Sequence, residues 1–411
     1  MPNIRKTQQI PMLGVYEDQF GTEELRSVAG RKGRLFMEIC KPEITTRKQL
    51  AQDFDIRPGT VSSIVLELIS QGLVREERPA MPYQKGRPEI LLWPVTSRLA
   101  AMVFYVVSQS IHAVLVDFGG NIICSEVTKV QAEQVENDNL RNLIIDMAKK
   151  LRGQVPAETE IVGISFSLPG IVEENSGRWV FASRWAKIQN MDFAEISREL
   201  NLRVIVNKNL NCELRARIAR RDEQRNSSIL IIHWGYGIGA SLSIDGNAVI
   251  GSNGGFGEIG HSYTCCGNDK QCRCGLNNCL ETQAALWALL PELSAVYPGV
   301  PADEWNFETF LKEQEDFDIS ILENAIRLMA IAMQNLTLVL SPHQIVLSGP
   351  FVQHPQIFQS LEDKFRELLP TTSRVLAQRE VKVAAGRAGA EDEIIGAAFP
   401  LFERAIKSLC G

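Results

Sequence analysis

From Leu99 onward, short apolar runs typical of buried strands alternate with longer segments of helical periodicity, and this order occurs twice. The first round has two or three strands broken by a turn at Gly119–Gly120–Asn121, then a helix over 138–151. The second begins at Ser227 with two strands joined through glycines and includes a helix over 321–340. Strand hairpins, crossovers and helices that occur twice predict two α/β lobes with a cleft between them.

Two further segments shape the prediction. The stretch "LRVIVNKN" predicts a buried strand that runs into a helix from about Leu210 to Arg220. The stretch "EDEIIGAAFPLFERAIKSL" predicts a closing helix. We expect this helix to be interrupted or kinked near Pro400, because proline cannot donate the backbone hydrogen bond of a helix interior.

The composition is that of a folded chain, with 45% apolar and 22% charged residues among 411. This length predicts two or three domains. We expect no membrane insertion, since no apolar run approaches the roughly 18–20 residues that span a bilayer. The opening residues also lack the apolar core of a signal peptide, so the expected location is the cytosol.

Charge is unevenly distributed along the chain. Residues 1–98 carry 15 Lys and Arg against 12 Asp and Glu, a net charge of +3, whereas the remainder carries −9. An acidic body repels nucleic acid, but the first segment is able to bind it locally. The alternative is an ordinary solvated face of mildly basic character.

Three short amphipathic segments precede the first lobe, beginning with "RLFMEIC". The second segment has a hydroxyl N-cap at Thr45 or Thr46, followed by an apolar stripe. The third has Pro58 in its first turn and Gly72 as its stop. Its apolar positions recur at helical spacing and are Val61, Ile64, Val65, Leu68 and Ile69. Such a trio, with a tight turn between the second and third helices, is typical of a helix-turn-helix.

A β-hairpin wing with a basic tip is predicted after the third helix, in "LVREERPAMPYQKGRPEILLWP". Small or polar side chains face outward near the start of the third helix, as a major-groove surface requires. Basic residues at the wing tip are able to reach phosphates or a minor groove. The candidate DNA contacts are Arg57, Thr60, Ser62, Ser63, Lys85 and Arg87. The alternative is one of the many short helical trios that bind no DNA.

Five of the nine cysteines fall between Cys265 and Cys279. In a reducing cytosol, such clustering favours a metal site or catalysis over disulfides. The C-x-C-x4-C spacing, with a histidine eleven residues upstream, fits a closed Cys3His zinc site of structural type. Its candidate ligands are His261, Cys272, Cys274 and Cys279. The alternative is a chance cluster of free thiols, and Cys265 and Cys266 remain as competing ligands.

Two other features allow more than one interpretation. The glycine run "GYGIGAS" either brings backbone amides close to a phosphate or forms a tight hairpin. Glu258, His261 and Glu281 flank the cysteine cluster. These side chains are suitable hydrogen-bond partners for sugar hydroxyls, but an isolated glutamate is more often a solvated surface residue.

Together, "GGFGEIGH" and "CRCGLNNCLE" resemble the two signature stretches of the ROK family of repressors and sugar kinases, from about Gly33 to Leu409. The resemblance implies an actin-like, hexokinase-like two-lobed α/β fold preceded by a winged helix-turn-helix domain. It implies zinc on the four candidate ligands and sugar contacts from Glu258, His261 and Glu281. The second stretch departs from the family at Asn278, where glycine is usual.

The implied domains are an N-terminal extension (1–26), a winged helix-turn-helix DNA-binding domain (27–96) and a ligand-binding domain (97–411). The last of these carries the zinc loop near 261–281.

The positions at which ROK kinases hold ATP phosphates differ in this chain. The Asp-x-Gly-x-Thr positions are Tyr105, Val107 and Gln109, and they retain no carboxylate, glycine or aliphatic hydroxyl. The second phosphate turn reads Gly235–Tyr236–Gly237 where the family has Gly-Thr-Gly. The nucleotide-side strand ends in Ser348–Gly349–Pro350 instead of a glycine run. Since phosphoryl transfer depends on positioning and charge stabilisation at these points, we expect no kinase activity.

The catalytic pair of the kinases, Asn-Asp, aligns with Lys208 and Asn209, and an amide cannot accept the proton of a sugar hydroxyl. Both residues are nevertheless candidate ligand contacts, with Glu258, His261 and Glu281. Lys208 either recognises an anionic group, such as a sugar phosphate, or pairs with Glu258 or Glu281.

The sequence thus predicts a sugar-responsive DNA-binding transcriptional regulator, a repressor released from operator DNA by a sugar or sugar-phosphate effector. A homodimer or homotetramer is expected, because paired recognition helices read two half-sites. Two alternatives stay open. One is an active ATP-dependent sugar kinase with an added DNA-binding domain, and the other is a repressor controlled by a protein partner.

Overall fold

The computed structural model describes most of the chain, namely residues 28–41, 45–78, 90–220, 227–251, 253–265, 270–314, 316–369 and 381–410. Its elements fall into a small head and two α/β lobes. None of the helices in these ranges is long and apolar enough to cross a membrane.

The head combines three helices with a three-stranded antiparallel sheet of order β1-β3-β2. Its elements are α1 (Val28–Cys40), β1 (Thr45–Thr46), α2 (Arg47–Asp53), α3 (Pro58–Ser70), β2 (Val74–Glu77) and β3 (Leu91–Pro94). The Thr46 hydroxyl accepts the Gln49 N–H at 3.2 Å and so caps α2. Gly72 (φ 73°) lies just past the end of α3 in the left-handed conformation that glycine adopts without strain.

The predicted apolar stripe of α3 points into the head's core. Val61, Ile64, Val65 and Leu68 are at most 3% exposed, while Ile69 is only partly buried. The helix-turn-helix and the wing strands are therefore present as predicted. The wing tip with Lys85 and Arg87 lies outside the described residues.

The first lobe is built on a five-stranded sheet of order β11-β7-β4-β5-β6. Its strands are β4 (Leu99–Val107), β5 (Ser110–Asp117), β6 (Ile122–Lys129), β7 (Glu160–Leu168) and β11 (Val204–Lys208). A small antiparallel sheet adds β8 (Ile171–Glu173), β9 (Arg178–Phe181) and β10 (Gln189–Asp192). The helices of this lobe are α4 (Asn137–Arg152), α5 (Ala194–Leu200) and α6 (Asn209–Arg220).

The second lobe repeats this plan with a sheet of order β14-β13-β12-β15-β16. Its strands are β12 (Ile229–Trp234), β13 (Ile238–Ile244), β14 (Asn247–Ala248), β15 (Gln344–Ser348) and β16 (Lys382–Ala385). Its helices are α7 (Glu281–Ala284), α8 (Leu286–Val296), α9 (Glu304–Glu313), α10 (Glu323–Leu340) and α11 (Pro355–Leu368). In each lobe, three strands pair antiparallel and two follow in parallel. The two rounds predicted from periodicity are thus two lobes of the same topology.

The closing helix α12 (Glu391–Cys410) is continuous through Pro400, so the interruption expected there was wrong, whereas a kink stays a prediction. Proline removes one backbone hydrogen bond, but the neighbouring Phe399, Leu401 and Phe402 are buried and hold the helix by packing.

One hydrophobic core unites the head, the first lobe and the closing helix. The Phe118 ring of the first lobe lies 5.9 Å from the Phe36 ring of α1 and 5.5 Å from the Phe402 ring of α12. The cluster contains buried side chains from all three regions without a break. The head is therefore fixed to the lobe by packing, and not only by the chain that joins them.

Candidate ligand cleft and metal centre

A cleft of about 670 Å³ lies between the lobes, at the ends of β11, β12 and β15. Ligands of open α/β sheets bind beyond the carboxyl ends of parallel strands, where such a crevice opens. All five predicted ligand contacts line it, namely Lys208, Asn209, Glu258, His261 and Glu281. Residues scattered over more than seventy positions of sequence are therefore brought to one cavity.

Lys208 is the last residue of β11, and its side chain crosses to the other lobe. Its Nζ lies 2.5 Å from Glu258 Oε1 and donates to the Phe256 carbonyl at 2.7 Å. Only 6% of the lysine side chain is exposed, against 26% for the glutamate. Of the two alternatives for Lys208, pairing with Glu258 is the arrangement in the structure, and the cleft stays open beside the pair.

A buried carboxylate that the sequence did not single out, Glu174, fixes the junction between β11 and α6. Its Oε1 accepts the Lys208 N–H at 3.0 Å and the Asn211 amide at 2.8 Å. Its Oε2 accepts from Arg215 at 2.7 Å, and Arg215 also donates to Asn207 at 2.6 Å. This network holds the backbone of Lys208 and the side chain of Asn211 in place. Glu174 is 34 residues or more from each partner, so no local pattern reveals it.

The three candidate contacts near the cysteine cluster converge. Glu281 is 8% exposed and accepts the Ile238 N–H at 3.1 Å. Burial raises the pKa of its carboxyl group. His261 Nε2 lies 3.8 Å from Glu258 Oε2. The imidazole thus turns one nitrogen to the cleft and the other to the cysteines.

The metal-ligand candidates form one cluster. His261 Nδ1 lies 3.4 Å from Cys272 Sγ, and the Cys274 and Cys279 sulfurs are 3.6 Å apart. One ligand atom from each of the four residues lies within 4.8 Å of all the others. A tetrahedral zinc with bonds of about 2.0–2.3 Å holds its ligands about 3.4–3.8 Å apart. These residues therefore fit a metal ion.

The sequence leaves the two remaining cysteines of this region, Cys265 and Cys266, as competing metal ligands. Cys265 is exposed and not part of the described cluster, and Cys266 lies outside the described residues.

Asn278 takes the turn that glycine usually provides. Its φ is +63°, a left-handed conformation that asparagine adopts more readily than most residues. Its carbonyl accepts the Thr264 N–H at 2.8 Å, which holds the two sides of the loop together. The substitution is therefore compatible with a closed loop.

The mouth of the cleft is bridged by an aromatic ring between two arginines. The Arg184 guanidinium lies 3.9 Å from the centre of the Tyr236 ring. Arg273, between two cysteines of the metal cluster, donates to the Tyr236 hydroxyl at 2.9 Å and to the Ser183 carbonyl at 3.3 Å. Since Ser183 and Arg184 belong to the first lobe, these contacts connect the loop that carries the cysteine cluster with both sides of the cleft.

The far half of the cleft is acidic. Glu213, His233, Glu304 and Glu393 line it together. Burial raises the pKa of Glu393 to about 7 and also raises the pKa of Glu213. Burial alone would lower the pKa of His233, but the carboxylates of Glu304 and Glu213 raise it overall. Sequence patterns did not indicate this group, because its members come from four separate helices and strands.

The predicted DNA contacts lie at the start of α3. Arg57 precedes the helix and is exposed, as is Ser63. Thr60 and Ser62 are partly buried. All four are placed together on the head.

Residues 110–403 match the model of the ROK family. The chain belongs to the ROK family. The xylose repressor of Caldicellulosiruptor bescii is 26% identical over 84% of this chain and 88% of its own length. The DNA-binding transcriptional dual regulator NagC of Escherichia coli K12 is 24% identical over 76% of this chain and 78% of its own.

Solved structures of ROK proteins share the fold. A ROK family transcriptional regulator, described as a homolog of the E. coli MLC protein, superposes with a TM-score of 0.71 at 20% identity. It covers 93% of this chain and 98% of its own. The ROK glucokinase of Streptomyces griseus, in complex with glucose and AMPPNP, gives a TM-score of 0.56 at 18% identity and covers 73% of this chain. The expected actin-like two-lobed fold is thereby confirmed.

Proposed function

We propose that this ROK protein is a DNA-binding transcriptional repressor whose affinity for its operator is controlled by a sugar-type effector in the cleft. The observation that carries the proposal is the core shared by the helix-turn-helix head, the first lobe and α12. Because this core is continuous, a change at the cleft alters the packing that holds the head. Relatives named as repressors align over most of the chain and support the same function.

The DNA-binding unit of the proposal is 27–96, preceded by an extension over 1–26 and followed by the ligand-binding body over 97–411. Arg57, Thr60, Ser62 and Ser63 would contact base edges from α3. Lys85 and Arg87 at the wing tip would contact phosphates or the minor groove. A homodimer or homotetramer would present two recognition helices to a palindromic operator.

The effector would bind between Lys208, Asn209, Glu258, His261 and Glu281. Because the Lys208 charge is already neutralised by Glu258, the pair offers donors and acceptors to hydroxyl groups more readily than it offers an uncompensated cation. This favours a neutral sugar over a sugar phosphate. The metal would be a structural zinc on His261 and the three cysteines, which holds His261 against the cleft.

A physical route joins the cleft to the head. Glu393, at the start of α12, accepts the Ser167 hydroxyl at 2.6 Å beside the cleft. Further along the same helix, Phe402 packs on Phe118, and Phe118 packs on Phe36 of the head. A rotation of the lobes around a bound ligand would move α12 and, through Phe402 and Phe118, the surface on which α1 packs. DNA and effector would then weaken each other's binding reciprocally.

We further propose that the protein does not catalyse sugar phosphorylation. Asn209 stands at the position of the catalytic carboxylate of the ROK kinases, and an amide is not a general base. The relative named glucokinase aligns with 51% of this chain, whereas the relatives named as xylose repressors align with 71–84%. ATP-dependent phosphorylation of a sugar by the wild type, abolished in Asn209→Ala, would establish the kinase alternative instead.

Selection of bound fragments from genomic DNA with the purified full-length protein tests the proposal. We expect a palindromic sequence to be enriched at physiological salt. A panel of neutral and phosphorylated sugars is then tested for release of that fragment. Binding without sequence preference would contradict the regulator function. Tight operator binding that no sugar in the panel weakens would favour control by a protein partner.

A further inference from the structure

A glycine turn at the end of β12 offers a backbone amide to the far half of the cleft. The turn is Gly235–Tyr236–Gly237, and the parallel strand β15 ends beside it at Ser348. Backbone N–H groups in turns at the carboxyl ends of parallel strands are typical binding points for anions. An amide placed here needs a negatively charged or polar partner.

That partner comes from the chain itself. The Tyr236 N–H donates to Oε1 of Glu304, the first residue of α9. The same oxygen lies 3.2 Å from His233 Nε2. The turn therefore already binds a carboxylate, which contacts the Tyr236 backbone amide and the His233 imidazole.

The fit around this carboxylate is close. A methyl group at Gly235 would overlap both the Glu304 carboxylate and the His233 ring, so these two side chains occupy the space that a larger residue would take. Glu304 also remains ionised. Burial raises the pKa of its carboxyl group, but the His233 charge, the bonds from His233 and Tyr236, and the Arg184 charge together bring the pKa below its usual value.

Further carboxyl groups lie nearby, and Arg217 beside Glu213 and Asp392 offsets part of their charge. Glu213, Asp392 and Glu393 line the same half of the cleft as Glu304. An incoming phosphate would have to displace one carboxylate from its hydrogen bonds and approach others.

We propose that Glu304 is a built-in anion that fills the anion-binding turn 235–237 and so excludes phosphate-bearing ligands from this half of the cleft. Glu304 is then a specificity-determining residue, which restricts the cleft to ligands that are neutral at this end. Removing its carboxylate exposes the Tyr236 N–H and the His233 imidazole and creates a phosphate site. This inference concerns ligand choice and does not depend on DNA binding.

Calorimetric titration of the full-length protein with inorganic pyrophosphate tests the inference. We expect no measurable binding by the wild type and clear binding by Glu304→Ala, a gain of at least about tenfold in affinity, equivalent to about 1.4 kcal/mol. Glu308→Ala is the matched control. Glu308 lines the same cleft but is bonded to Lys312 at 2.6 Å, so its loss removes one charge without freeing the turn.

Glu304→Gln separates charge from occupancy. Its amide oxygen is still able to accept the Tyr236 N–H, so we expect a smaller gain than in Glu304→Ala. Circular dichroism and the unfolding midpoint show which variants are folded, and Glu304→Gln decides the question if Glu304→Ala is not. The inference is overturned if folded variants at Glu304 bind pyrophosphate no better than the wild type. It is equally overturned if the wild type binds as tightly as they do, or if Glu308→Ala gains as much.

Discussion

Lys208 at the end of β11 and Glu258 in the second lobe form a 2.5 Å ion pair that bridges the cleft. The pair ties the two lobes together at the point where the proposed effector would bind. A ligand that inserts between them must replace these contacts with its own hydroxyl groups. The pair therefore stabilises the present arrangement of the two lobes, and a ligand would compete with it.

Replacing Lys208 with methionine should destabilise the protein by about 1–3 kcal/mol, because Glu258 then loses its partner in a largely buried site. Chemical denaturation measures this. Lys149→Met is the control, since its pair with Glu199 is about half exposed and should contribute less than about 1 kcal/mol. The Lys208→Met/Glu258→Gln double variant should recover part of the loss, and strict additivity of the two single effects would argue against a coupled pair.

Cys274→Ser should abolish stoichiometric zinc and lower the unfolding midpoint, since structural zinc sites contribute directly to folding. Elemental analysis of the purified protein should find about one zinc per chain in the wild type. Cys265→Ser should retain it, because Cys265 is exposed and outside the cluster. Loss of zinc in Cys265→Ser with retention in Cys274→Ser would reverse the ligand assignment.

Arg57→Ala should weaken binding to the selected operator by about 1–3 kcal/mol and binding to scrambled DNA by less. Fluorescence anisotropy on both duplexes gives the two values. Arg198→Ala removes the same charge from an exposed site on α5 and should leave both nearly unchanged. An equal loss on operator and scrambled DNA would mean that α3 does not read bases.

Phe402→Ala should cost about 3–5 kcal/mol in stability, since this side chain is fully buried. It should also weaken operator binding at temperatures where the protein is folded, because Phe402 supports Phe118 and the head. Phe365→Ala removes an equally buried ring from the second lobe and provides the comparison. If both variants bind the operator equally well, α12 does not position the head.

Glu393 should make stability depend on pH. Its folded pKa, about 7, is above the ordinary value of 4.5, so the folded state holds the proton more strongly. Its contribution is therefore present at pH 4.5 and below, decreases as the pH rises to about 7, and then levels off. Glu393→Gln should match the wild type near pH 5 and be more stable at pH 8. Unfolding midpoints across this range test it, and equal pH dependence in the wild type and Glu393→Gln would contradict it.

Local sequence patterns were enough to predict much of the fold. Periodicity located α3 and its buried face, and proline and glycine marked its two ends, since these signals act within a few residues. The cysteine spacing located the candidate metal-binding cluster for the same reason. The interruption expected at Pro400 is absent from α12, because the packing of its buried neighbours outweighs one lost hydrogen bond.

Long-range pairs were beyond reach of such patterns. Glu174 meets Arg215 across 41 positions, and Glu304 meets Tyr236 across 68. In the sequence, nothing distinguishes Glu174 or Glu304 from an ordinary charged surface residue. Each carboxylate meets its partner only through the tertiary fold of its own lobe, so the acidic half of the cleft and its anion-filled turn emerge from the fold alone.

The unbroken core beneath the head also limits how such regulators can be recombined. A head grafted onto another ROK body would no longer pack against Phe118 and α12 of this chain. Its buried face would therefore be poorly matched to the new body. If α3 reads the operator as proposed, exchange of operator specificity is therefore easier through its outward residues than through transplantation of the whole head. The outward residues of α3 can be exchanged singly, whereas the buried face of the head depends on the body against which it packs.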